Sequence, residues 1–157
     1  MNPPPIRPRP AVASDLDAIL ALERATDLAP HWPRAAYAAI LESIPPQRCL
    51  FVAEQCGQLI GFAVGLLHPP DSNRIAELES VVVSASARRA GIGRALCRVV
   101  LDWSRSRGAS EVILEVRANS VAAIALYISI GFTLTGRRPR YYLDPVDDAL
   151  LLRQVLL

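Results

Sequence analysis

SVVVSASARRAGIGRALCRVVLDW, residues 80–103, sets an apolar strand, an arginine- and glycine-bearing bend and an amphipathic helix directly in line. That order builds an anion cradle. Gly91 and Gly93 free consecutive backbone N–H groups to turn toward one point, and the helix that opens there adds the positive end of its dipole. Arg88, Arg89 and Arg94 supply guanidinium forks that pair bidentately with phosphate oxygens, so the ligand expected at residues 88–94, including Ala90 and Ile92, is a phosphorylated cofactor.

Two other phosphate loops fail on the residues. A Walker loop needs GxxxxGK[ST], and all 17 basic residues here are arginine. A dinucleotide fingerprint needs GxGxxG; Leu96 stands where its last glycine belongs, although Glu115 falls about where a ribose-binding acid would. The connection from Val83 to Gly91 is also too long for that tight turn.

The RxxGxG pattern, a following strand, Asn119 to Tyr127 and then Gly131-Phe132 together resemble the GNAT N-acetyltransferase superfamily. Within it LEVRANSVAAIALYISIGF, residues 114–132, is most similar to the RimI type, which acetylates the N-terminal alanine of a ribosomal protein. Pro30-His31-Trp32-Pro33 and RRPRYY, residues 137–142 with Asp148-Ala149 behind, fit the same type, so the likeness spans nearly the whole chain. One departure is visible. The family usually has Asn seven residues before the tyrosine, where this chain has Ser120, with Asn119 displaced by one.

The resemblance implies acetyl-CoA (coenzyme A) as cofactor, held by residues 88–94, by the backbone of Val81, Val82 and Val83, and by Asn119 and Ser120. It implies Tyr127 as general acid toward the departing thiolate and Glu115 as base toward the amine. An ordinary phenol is a poorer acid than a thiol, by about 2 kcal/mol of proton transfer, so a hydrogen bond to the thiolate weighs more than full protonation. An α-amino group needs roughly 3 kcal/mol less than a lysine to deprotonate at neutral pH, which suits a modest carboxylate base. Glu77 and Glu79 alternate on the fourth strand and can face the same groove, holding the acceptor ammonium, with Glu79 preferred. Tyr141 and Tyr142 border the acceptor by resemblance. Glu115 shares a strand face with Arg117, so an ion pair between them is the structural alternative, and His31 and His68 have no partner in local sequence.

The 157 residues suit one domain, 1–157, with 52% hydrophobic residues and mean hydropathy +0.26, enough for a sizeable core. No apolar run approaches the roughly 18 residues of a membrane span, and MNPPPIRPRP has no apolar signal core, so a cytoplasmic chain away from membranes is expected. Net charge +2 is spread along the chain, against nucleic acid as a primary partner. Cys49, Cys56 and Cys97 lack metal or disulfide spacing, so no metal and reduced thiols are expected, in a monomer or weak dimer.

The order of elements predicts a mixed sheet with helices on both faces, and the resemblance implies an α/β (α+β), GNAT-like, mostly antiparallel sheet with the cofactor entering where the fourth and fifth strands part. The strands are expected at 6–12, 50–54, 59–67, 76–83, 111–117, 132–138 and 149–156. The helices are expected from 14 to near 30, from 33 to about 44 where Pro45-Pro46 stops it, and at 91–107 and 120–130; Pro69-Pro70-Asp71 is expected to close the central hairpin. The rival acceptors are a lysine side chain or a small amine. A rival of another class is a silent acyl-CoA sensor.

Overall fold

A computed structural model describes residues 4–43, 47–69 and 74–156. The expected stops at Pro45-Pro46 and at Pro70-Asp71 lie outside the described residues.

Seven strands form one sheet: β1 (Arg9–Pro10), β2 (Arg48–Gln55), β3 (Gln58–Leu67), β4 (Ile75–Val83), β5 (Glu111–Arg117), β6 (Thr133–Leu143) and β7 (Val146–Val155). Their spatial order is β1-β2-β3-β4-β5-β7-β6, antiparallel everywhere except β4 beside β5. Four helices cover it: α1 (Leu16–Arg24), α2 (Arg34–Glu42), α3 (Ile92–Ser106) and α4 (Val121–Ser129). No helix among the described residues is long and apolar enough to cross a membrane.

Period-two alternation divides the core between the two faces. Phe62, Val64 and Val82 point to one side, where Leu16, Ile19 and Leu20 of α1 and Tyr37 and Ile40 of α2 meet them. Ala63, Leu78, Val112 and Leu114 point to the other, under Ile92, Leu96, Cys97 and Val100 of α3 and with Ala123, Leu126 and Tyr127 of α4 alongside. The inward stripe of α3, which the sequence pattern puts at Ile92, Leu96, Val99, Val100 and Trp103, runs one position further round. Cys97, Leu101 and Ser104 are buried, while Val99 and Trp103 are only half-buried.

Several boundaries differ for local reasons. Strand β1 is two residues long because Pro8 and Pro10 have no N–H to give a ladder. Helix α1 stops at Arg24, well short of Pro30, because the Thr26 hydroxyl takes the Leu22 carbonyl at 2.9 Å and Ala29 N–H turns back to the Thr26 carbonyl. Asp15 occupies the N-cap position of α1, yet its carboxylate accepts from Arg9 at 2.8 and 2.9 Å and from Val12 N–H at 2.8 Å, tying β1 to the helix rather than capping it. Strand β6 continues past Pro139, where the sequence reads a stop. A bulge absorbs Pro139 and Arg140 between the pairs Arg138↔Ala149 and Tyr142↔Asp147.

Candidate functional site

The β4–β5 ladder lasts three pairs, Ile75↔Glu111, Ala76↔Val112 and Glu77↔Ile113. Beyond them β4 runs on to Val83 paired only with β3, and β5 runs on to Arg117 paired only with β7. A wedge therefore opens between two strands whose facing backbone groups have no ladder partner, and Val81, Val82 and Val83 form one of its walls. A ligand lying along the wedge can take those hydrogen bonds.

The arginine–glycine bend sits at the end of that wall. Gly91 has φ +80° and precedes α3, and Arg89 has φ +65°, so the chain turns through two left-handed residues before the helix begins. The first helical bond runs from Ala95 N–H to the Gly91 carbonyl at 3.0 Å, which leaves the amides of Ile92, Gly93 and Arg94 without an intrahelical acceptor. No side chain caps this end, and a Cβ built on Gly91 meets nothing within 4 Å. An open, uncapped helix start fits an anionic group.

The two glycines do different work. Gly93 is already helical, and a Cβ there would come 3.1 Å from Leu126 Cδ2, so its lack of a side chain lets α4 lie close on α3. Arg88 and Arg89 are exposed and in no ion pair among the described residues; Arg88 Nε donates to the Val83 carbonyl at 3.4 Å, and Arg94 donates to the Ser129 hydroxyl at 3.0 Å. Across the wedge, Ser120 sits at the N-cap of α4 with its hydroxyl unused for capping, and Asn119 N–H donates to Asp147 Oδ2 at 3.1 Å.

Tyr127 and Glu115 stand on opposite faces of the sheet, one on each side of the wedge. Tyr127 is half-buried on the α3–α4 face, its ring edge-on to Phe132 at 5.9 Å. Its hydroxyl has no hydrogen-bond partner among the described residues and is not sealed from solvent. Burial above all, with the nearby Cys97 and Tyr142 adding to it, pushes this phenol well above its ordinary value. Glu115 alternates with the buried Leu114 and Val116 and so faces the α1–α2 side.

Arg117 is not the partner of Glu115. It donates to the Pro145 and Asp144 carbonyls at 2.9 and 3.2 Å and lies over the Tyr142 ring at 4.2 Å, organising the β6–β7 turn. Glu115 instead has Arg138 at 3.6 Å, and its carboxylate, through a hydrogen bond first and its charge second, holds the Tyr141 phenol above the usual range. The β6 bulge makes this possible. Asp148 accepts from the Arg140 N–H at 2.8 Å and from Arg137 at 2.6 Å, fixing Arg140 at φ +52° and presenting Tyr141 and Tyr142, whose rings meet edge-on at 5.1 Å.

Glu79 is held elsewhere. The register steps from Val64↔Ser80 to Gly65↔Leu78, leaving Glu79 as the extra residue of a β4 bulge. Arg48 grips it bidentately, Nε to Oε2 at 2.9 Å and Nη2 to Oε1 at 3.1 Å. The preference for Glu79 over Glu77 thus meets a carboxylate whose charge an arginine already offsets. His68, without a visible partner in sequence, has its Nε2 3.0 Å from Glu77 Oε2. The two are diagonal neighbours across the β3–β4 ladder, since Glu77 pairs with Leu66 and His68 N–H donates to the Ile75 carbonyl at 2.9 Å.

Residues 16–132 match the model of the acetyltransferase (GNAT) family. The N-alpha-acetyltransferase RimI of Mycobacterium tuberculosis is 36% identical over 127 residues, covering 78% of this chain and 75% of that one. The ribosomal-protein-S18-alanine N-acetyltransferase of Escherichia coli superposes with a TM-score of 0.79 at 29% identity, over 96% of this chain and 94% of that one. A chain from the NatC complex bound to Gag peptide and CoA superposes with a TM-score of 0.82 at 25% identity, over 97% and 99%. Other curated relatives are longer, and the match spans only 33% and 40% of two of them. With the parted strands, the uncapped helix start behind Gly91 and the matched 16–132 in agreement, the chain belongs to the acetyltransferase (GNAT) family.

Proposed function

We propose that this protein moves an acetyl group to the α-amino group of a protein N-terminus, of the kind a ribosomal protein beginning with alanine presents. One observation carries the reading: the wedge between β4 and β5 has an uncapped helix start at its end, a free phenol on one face and a carboxylate on the other. The family uses acetyl-CoA, which when bound supplies an activated acetyl thioester.

The chain's residues divide the remaining work. The amides of Ile92, Gly93 and Arg94, with Arg88 and Arg89, hold the diphosphate; Ala90 and Gly91 shape the bend. The unpaired edge of Val81, Val82 and Val83 aligns the pantetheine arm, and Asn119 and Ser120 close over it from α4. Glu115 takes the proton that the acceptor nitrogen must lose. Tyr127 keeps its own proton throughout, since burial raises the phenol, and acts by donating a hydrogen bond from its hydroxyl to the sulfur as negative charge develops there. Tyr141 and Tyr142 form the wall along which the acceptor chain lies. A N-terminal amine suits this site better than a lysine, because a single carboxylate already shared with Arg138 is a modest base.

Acetyl-CoA is offered with three acceptors: an alanine-initiated peptide without lysine, the same peptide N-terminally blocked and carrying lysine, and a polyamine. Thiol release with the first alone is the expected result. Turnover only with the second or third overturns the acceptor, and tight cofactor binding with no turnover on any of them identifies a sensor.

A further inference from the structure

The connection from α1 to α2 is stiff yet loosely tied. Pro30 and Pro33 fix their own φ through the ring, Pro33 at −68°, and His31 between them is left-handed at φ +57°. Among the described residues, no backbone-to-backbone hydrogen bond joins residues 30–32 to the sheet or to either helix. Two contacts hold this strap instead. The Trp32 ring lies 5.5 Å from the Tyr37 ring, and the Trp32 N–H reaches the Glu23 carboxylate. Glu23 is 1% exposed and also accepts the Tyr37 hydroxyl, so a single buried carboxylate joins the end of α1, the strap and α2. Burial pushes its carboxyl up, with nearby His31 and the Trp32 N–H working the other way.

Beneath the strap the contacts continue to the wedge. The Tyr37 ring meets Phe62 edge-on at 5.8 Å, and Phe62 pairs in the ladder with Val82, part of the wedge wall. Tyr37, Phe62 and Val82 share one buried cluster, with Trp32 packed against it. This column stands on the α1–α2 side of the sheet, the side that Glu115 faces. Apolar packing is non-directional and lets a strap slide, whereas hydrogen bonds to one carboxylate fix its register.

We infer that Glu23 is a positioning residue for the acceptor: through Trp32 and Tyr37 it holds residues 30–33 in one register over β3 and β4, so that the strap and Tyr141 bound a single opening on the side that Glu115 faces. This deepens the reading above and rests on it. Glu23 touches neither cofactor nor acceptor and takes no part in proton transfer. Without its carboxylate the strap exchanges between held and released positions, and an acceptor binds only the held fraction. The apparent acceptor affinity falls by that fraction, while turnover of bound acceptor and the grip on coenzyme A at the Gly91 bend stay as they were.

Glu23→Met keeps the length of the side chain and removes both acceptor oxygens. For an alanine-initiated peptide its KM is expected to rise several-fold, up to about tenfold, the shift that one lost hydrogen bond gives a two-state equilibrium, with kcat and calorimetric coenzyme A affinity unchanged. The Trp32 amide should exchange faster with solvent deuterium while that of Val112 in β5 stays protected. Glu23→Gln, whose side-chain oxygen accepts the Trp32 N–H while the Tyr37 hydroxyl turns to accept from its amide, should return KM to near the wild-type value. Where Glu23→Met fails to fold, Glu23→Met combined with Tyr37→Phe, which leaves no stranded hydroxyl, is measured in its place. Unchanged Trp32 exchange, faster exchange with an unchanged KM, an equal KM loss in Glu23→Gln, or a parallel fall in coenzyme A affinity overturns the assignment. A wild-type protein that acetylates no acceptor overturns the acetyl-transfer reading itself.

Discussion

Tyr127→Phe removes one oxygen and leaves the ring. The phenol oxygen has no hydrogen-bond partner among the described residues, so its loss strands no buried donor or acceptor, and the edge-on contact with Phe132 at 5.9 Å survives. Folding stability should therefore move by no more than about 0.5 kcal/mol, the range of a substitution that breaks no identifiable interaction. Catalysis should suffer far more. A positioned donor at a charge-developing atom is worth about 10²-fold or more, some 2.7 kcal/mol of barrier. Thiol release at saturating acetyl-CoA and peptide gives kcat, calorimetry gives cofactor affinity and thermal unfolding gives stability. The expected pattern is a large fall in the first with the other two unchanged. Because burial raises this group, it remains protonated at alkaline assay pH, so the wild-type rate should not decline between pH 7 and 9 on its account. A kcat within twofold of wild type removes Tyr127 from the chemistry, whereas a matching loss of stability would make it a packing residue.

Two further outcomes follow from the same geometry. Asp148→Ala should release the β6 bulge, raising the acceptor KM while leaving coenzyme A affinity intact, with faster hydrogen exchange at the Arg140 amide as the structural readout. The Arg140 N–H first and Arg137 second hold the Asp148 carboxyl below its usual value, so its contribution is present above the ordinary carboxylate range and is lost only as pH falls through the lowered value. Exchange at Arg140 should thus be as well protected at pH 5 as at pH 7, and deprotection at pH 5 would refute the assignment. Burial pushes the Cys49 and Cys97 thiols up to about 12, whereas Cys56 is exposed at the β2–β3 turn, so a maleimide titration of the native protein should show one fast thiol and two that react only on unfolding.

What the sequence made legible is what short-range pattern controls. The alternation in β5 and the left-handed turn at Gly91 that opens α3 are local signals and the structure places both as read, whereas the apolar stripe of α3 sits one position round from the pattern. The parting of β4 from β5 followed from resemblance. The charge pairing did not follow from either, because it joins residues far apart in the chain. Arg48 reaches Glu79 across 31 positions, Arg138 reaches Glu115 from another strand, and both contacts depend on bulges that shift a register by one or two residues. Strict alternation would put Glu77 and Glu79 on one face in equivalent roles. The bulge at Glu79 breaks that equivalence, and no propensity scale registers a bulge that strand pairing alone creates. Glu23 is a further case. An acidic residue at the end of an amphipathic helix reads as solvated, yet it is 1% exposed under the α1–α2 connection and accepts the Tyr37 hydroxyl.

The most direct test of the account is a crystal structure of the protein grown with coenzyme A. The diphosphate should lie within hydrogen-bond reach of the Ile92, Gly93 and Arg94 amides, the pantetheine arm between β4 and β5, and the sulfur beside the Tyr127 hydroxyl. Coenzyme A seated elsewhere, for instance in the 470 Å³ groove between α3 and α4 lined by Arg98 and Arg105, with the wedge empty, would contradict it.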